Sequence, residues 1–190
     1  MAASAADFLD ATPARRAGAA AEALGGPELA QWCADLITGR AAYDEPGRPD
    51  PAWLGGRHGR QWWTRPDLHE RGLEHWPRTW AARTLLHAWD DLAAPAVVGG
   101  LDDPAWRLRE MCAKACARHE VGAAAERCAR LATDDEVPRV RAAAARAVGA
   151  IGEAEHATAL HTACGDPEPV VRRAAGRALV LMRTRLDREV

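Results

Sequence analysis

The chain is poor in the large side chains that usually fill a core. It holds one Phe, one Tyr and three Met in 190 residues, and alanine carries nearly half of its 48% hydrophobic share. Few β-branched residues beside so much alanine favour helix throughout and disfavour a sheet. No apolar run approaches the roughly 18 residues that a membrane-spanning helix needs. The opening "MAASAADFLDATPARR" has no basic stretch followed by an apolar one, so it does not read as a secretory signal. No charge sign dominates either. The formal net charge of -2 gives no global reason to expect nucleic acid or an acidic membrane. Lysine is nearly missing, Lys114 being the one exception among 25 basic residues. A phosphate-binding glycine loop and a Ser-His-Asp nucleophile signature are both absent. No catalytic residue, cofactor or metal is therefore assigned. The five cysteines, Cys33, Cys112, Cys116, Cys128 and Cys164, are odd in number and sit inside helical patterns. They read as reduced thiols of a cytoplasmic protein.

What the chain does have is a repeat. "DPAWRLREMCAKACA" starts at Asp103, "DEVPRVRAAAARAVG" at Asp135 and "DPEPVVRRAAGRALV" at Asp166. Each places an aliphatic residue and then an arginine at the same offset from its Asp: Leu108-Arg109, Val140-Arg141 and Val171-Arg172. The same spacing counted backwards reaches Arg78 in "PRTWAARTLLHAW", where the Asp is missing but the alanine-rich run follows in register. Between the copies lie "LAAPAVVGGL", "GAAAERCARLA" and "AEHATALHTAC", a second helix for each unit. A pair of helices in about 31 residues cannot bury its apolar face alone, so successive units must stack.

The motif resembles HEAT repeats, especially the short bacterial kind found in phycobilin lyases, over Pro77 to the C-terminus. The resemblance implies an all-α, right-handed α-solenoid of about four repeats, the first degenerate, spanning residues 69–190. It also implies a structural ladder of Asp103, Asp135 and Asp166 with Arg109, Arg141 and Arg172. The chemistry agrees, because an acid is favoured beside a helix N-terminus and arginine offers a two-pronged donor. Pro138 and Pro169 suit a first helical turn.

Winding each second helix at about 100° per residue puts Val140, Ala144, Ala147 and Val148 on one face. Arg83, Lys114, Arg146 and Arg177 point away from that face in the four units. In a solenoid of the resembled type these helices line the concave side, so the four form a basic column, strengthened by Arg173 and weakened by Glu110. The column reads either as a solvated arginine face or as a groove for an acidic protein segment or a phosphate backbone.

Residues 1–68 do not fit the repeat and read as a helical cap. "PARRAGAAAEAL" and "PELAQWCADLITGR" are two helices, each opened by proline and separated by "GG". "YDEPGRPDPAWLGGRHGR" is too rich in proline and glycine for regular structure. Tryptophan is dense: Trp32, Trp53, Trp62, Trp63, Trp76, Trp80, Trp89 and Trp106. These rings either pack the cap onto the repeats or offer an aromatic platform to a base.

Cys112, Cys116 and His119 share one helix face with Cys128 nearby, but paired CxxC knuckles are missing and small buried residues fit better than zinc. His119-Glu120 is similar to the dyads of deoxyhypusine hydroxylase, a HEAT-repeat di-iron enzyme. The second dyad, His69-Glu70, lies out of repeat register, so that role is not carried over. The HEAT-like alkylpurine DNA glycosylases have a basic concave face with a carboxylate among aromatic residues. Trp89, Asp90, Asp91 and Trp106 are loosely similar, without a residue-by-residue match. The reading that follows is a non-catalytic adaptor for a protein partner, away from membranes, with nucleic-acid binding as the alternative.

Overall fold

A computed structural model describes residues 3–43, 45–61 and 71–187. Among these residues the structure is helical, with no strand. It divides into two compact units, Met1–Val97 and Val98–Val190.

The first unit contains α1 (Pro13–Leu24), α2 (Gly26–Thr38), α3 (Ala52–Gln61) and α4 (Trp76–Leu85). Local chemistry sets the ends of the first two. Thr12 caps α1 by accepting from the Arg15 N–H at 3.3 Å, and Pro13 occupies the first turn, where its missing N–H costs nothing. α2 ends at Gly39, whose left-handed φ of 74° returns its N–H to the Asp35 and Leu36 carbonyls.

The stretch expected to be irregular, residues 43–60, instead forms α3 over its second half. Three anchors overcome its glycine content. The Asp50 carboxylate caps the Ala52 N–H at 2.8 Å, and the Tyr43 hydroxyl donates to the Pro51 carbonyl at 2.9 Å. Trp53 and Leu54 are buried, with the Trp53 ring 5.6 Å from Phe8. Gly56 leaves helical geometry at φ 60°, bending the helix. A side chain at Gly55 would place its Cβ 2.8 Å from the Trp80 ring, so the bare backbone is what lets α3 reach α4. Trp32 and Trp80 are also buried, and Tyr43 and Trp76 lie 5.7 and 6.0 Å from Trp80. These rings thus pack within this unit, whereas Trp106 belongs to the second; Trp62 and Trp63 lie outside the described residues.

Helix α5 (Ala94–Gly99) crosses the boundary between the units. The second unit then runs α6 (Trp106–Arg118), α7 (Ala125–Asp134), α8 (Pro138–Ile151), α9 (Ala157–Ala163) and α10 (Pro169–Leu186). The first helix of each pair, α7 and α9, is entered through a short 3-10 turn. Pro138 and Pro169 stand in the first turns of the second helices, α8 and α10. α8 is the centre of this unit, packed against α6, α7, α9 and α10. Val140, Ala144, Ala147 and Val148 are fully buried, and so are Ala142, Ala143 and Ala145 on its other sides. Alanine makes this possible: its small side chain can be enclosed on any face with no rotamer entropy to lose.

Candidate functional site

Two arginines of the second unit are consumed by the stacking itself. Arg109 on α6 donates from Nε and Nη2 to the two oxygens of Asp135, at 2.7 and 3.1 Å, and from Nη1 to the Asp103 and Pro104 carbonyls. Arg141 on α8 repeats the pattern one unit later. It reaches Asp166 at 2.6 and 3.0 Å and the Asp135 and Glu136 carbonyls with Nη1. Each rung therefore joins the arginine of one repeat to the aspartate of the next. The aspartates have a second task. Asp103, Asp135 and Asp166 each accept at 2.8 Å from the N–H two residues on, at Ala105, Val137 and Glu168. These bonds fix the turn that launches the following helix. Arg172 closes on the Asp166 and Pro167 carbonyls and is exposed. The Arg141 guanidinium holds the Asp166 carboxyl below the ordinary aspartate range, while the carboxylates hold Arg109 and Arg141 above the ordinary arginine range.

The residues placed on the basic column have different surroundings. Arg146, Arg173 and Arg177 are exposed on α8 and α10. Arg146 donates to the Ala142 carbonyl at 3.1 Å, and none of the three is paired with a carboxylate among the described residues. Lys114 is half-buried and bound at 2.7 Å to Glu110, which also accepts from Arg139. Its charge is therefore answered within the fold. Arg83 lies in the first unit and is half-buried. Sequence reasoning overlooked Trp106 as a cation platform: Arg107 stands 4.3 Å and Arg139 5.4 Å from its ring.

Cys112, Cys116 and Cys128 are fully buried. Burial pushes the Cys112 thiol well up, and a hydrogen bond with Cys116, then burial, raises Cys128. Such thiols are poor nucleophiles and poor ligands. No group of three or more His, Cys, Asp or Glu among the described residues is arranged to hold a metal ion. His119 and Glu120 follow the end of α6, and His69 and Glu70 lie outside the described residues. The carboxylates beside Trp89 are locally engaged: Asp91 accepts from the Trp89 indole at 2.8 Å, and Asp90 caps Leu92 at 3.0 Å. No helix among the described residues is long and apolar enough to cross a membrane.

Helix pairs stacked through Asp–Arg rungs define an all-helical repeat protein. Residues 94–180 match the family model of HEAT repeats. Comparison with curated proteins gave no match, and neither did comparison with solved structures. A repeat of this kind defines a fold and leaves its activity open.

Proposed function

We propose that the chain is a non-catalytic adaptor of the cytoplasm that binds an acidic segment of a protein partner through the exposed arginines of α8 and α10. One contrast supports this reading. Arg109 and Arg141 are neutralised by the ladder, whereas Arg146, Arg173 and Arg177 are exposed without a carboxylate partner among the described residues. Arg173 and Arg177 are one turn apart on α10, and Arg146 holds on α8 the repeat position that Arg177 holds on α10. Unpaired arginines in register attract an extended acidic chain and can grip its carboxylates two bonds at a time. In this reading the solenoid is right-handed, the face is concave, and residues 1–68 act as an N-terminal cap.

The test is a fluorescence-anisotropy titration with a labelled glutamate-rich peptide and with labelled duplex DNA, at low and moderate salt. Peptide binding that is lost in the Arg146→Glu/Arg177→Glu double variant supports the adaptor. Duplex binding that falls steeply with salt and is lost in the same variant establishes the nucleic-acid reading instead. Peptide binding unchanged by the double reversal removes this surface from the function.

A further inference from the structure

The two ladder arginines of the second unit, Arg141 buried and Arg109 half-buried, each face a carboxylate. The first unit breaks that rule. Arg16 on α1 is 4% exposed, yet its guanidinium meets only neutral oxygens: Nη1 donates to the Ala11 carbonyl at 2.8 Å and Nη2 to the Leu54 carbonyl at 3.4 Å. Its Nε is buried and has no partner. Its charge acts in turn on a second guanidinium, Arg83 on α4. Burial, then Arg16, hold Arg83 below the ordinary arginine range, and only the Tyr43 hydroxyl opposes them. Arg16 is likewise lowered by burial. No carboxylate among the described residues is hydrogen-bonded or ion-paired to either arginine. Asp50, the acid that acts on Tyr43, is already occupied by the Ala52 N–H and by Arg60 at 3.4 Å.

The backbone around the pair is cut to fit. Gly56 has φ +60°, and a Cβ there would lie 2.6 Å from the Leu9 carbonyl oxygen and 2.8 Å from Arg16 Nη1. A Cβ at Gly59 would lie 2.5 Å from the Tyr43 hydroxyl. The segment "GGRHG", which the repeat does not explain, thus brings bare main chain against the Arg16 guanidinium and the tyrosine. A purely structural role accounts for the two Nη bonds of Arg16. It accounts neither for the orphaned Nε nor for the second arginine beside it. Two like charges withdrawn from water cost free energy that a counter-ion recovers.

We propose that Arg16 and Arg83 form an anion site for a phosphate group on a small ligand. Two guanidinium groups match the double negative charge that a phosphate carries near neutral pH. Arg83, the more exposed of the two, makes first contact, and the Nε of Arg16 supplies the donor beneath. The recessed position of Arg16 selects a small molecule over a stiff polyanion. The site is independent of the arginines of α8 and α10, so either reading can fail alone.

The full chain is titrated with inorganic phosphate and, separately, with glycerol phosphate, at ionic strength held constant with sodium chloride. Thermal midpoint and calorimetric binding are read together. The proposal expects a saturable rise in the midpoint. Arg83→Met weakens binding roughly 10- to 100-fold, the loss of a charged hydrogen-bond donor. Arg83→Lys, which keeps the charge but not the fork, falls between the two. Tighter binding of the ester assigns the site to a phosphorylated metabolite, and tighter binding of the inorganic ion assigns it to free phosphate. A midpoint that rises without saturating, and equally in Arg83→Met, is general salt stabilisation and overturns the proposal. So does the absence of any rise.

Discussion

Arg141 and Asp166 are joined by two parallel bonds of 2.6 and 3.0 Å, while the remaining Arg141 nitrogen holds the Asp135 carbonyl of its own repeat. One side chain thus fixes the launch of its own helix and the position of the next repeat. Both partners are nearly enclosed, the side chains being 11% and 7% exposed. Arg172 makes the same carbonyl contacts from an exposed position, and no following aspartate is paired with it among the described residues.

The two arginines therefore differ in consequence. Arg141→Ala leaves the Asp166 charge enclosed and unpaired, a loss of about 3–5 kcal/mol. Arg172→Ala removes two exposed bonds and costs about 1 kcal/mol or less. Thermal or urea unfolding of both variants decides the matter, and equal losses would contradict the rung described above.

The repeat was legible in sequence because its signal is chemical: an Asp, an aliphatic residue and an Arg at constant offsets, as at Asp135, Val140 and Arg141. The extent of burial on α8 was not. A hydrophobic period picks out Val140 and Val148 but is blind to Ala142 and Ala145, since alanine is as acceptable at a surface as inside. Residues 43–60 misled for a related reason. Proline and glycine argue against a helix locally, whereas Tyr43, Trp53 and Trp80 decide the outcome through tertiary packing. Arg16 left no trace either. Beside Arg15 it reads as one of two ordinary surface charges, and only the fold buries it. The one available hint was the concentration of glycines at 55, 56 and 59, which signals close backbone approach without naming what approaches.

The Arg141–Asp166 rung also makes stability depend on pH in a predictable direction. Its carboxyl titrates below the ordinary aspartate value of 3.8 in the folded protein, chiefly through the Arg141 hydrogen bonds. The unfolded chain therefore binds this proton more readily. The stabilisation is complete above the ordinary aspartate range and is lost as pH falls through the folded value. Asp166→Asn should be less stable than the parent at neutral pH, with the gap closing below about pH 4. Unfolding free energies of both proteins across the acid range measure it, and a constant gap would remove Asp166 from the acid response.

Gly149 and Gly176 test whether helix packing or helix propensity governs the second unit. Replacing a helical glycine by alanine gains up to about 1 kcal/mol from propensity alone. At Gly176 on α10 nothing lies within 4 Å of the added methyl, so Gly176→Ala should realise that gain. At Gly149 on α8 the methyl would stand 2.7 Å from the Ala178 Cα and 2.9 Å from its carbonyl oxygen. Those atoms belong to the backbone of α10, which cannot turn aside as a flexible side chain can. Separating the two helices disturbs the widest contact in the unit, and overpacking of this kind costs about 1–3 kcal/mol. That exceeds the propensity term, so Gly149→Ala should be destabilising where Gly176→Ala is stabilising. Urea midpoints moving in opposite directions would establish the close α8–α10 crossing, whereas two stabilised variants would place the helices farther apart.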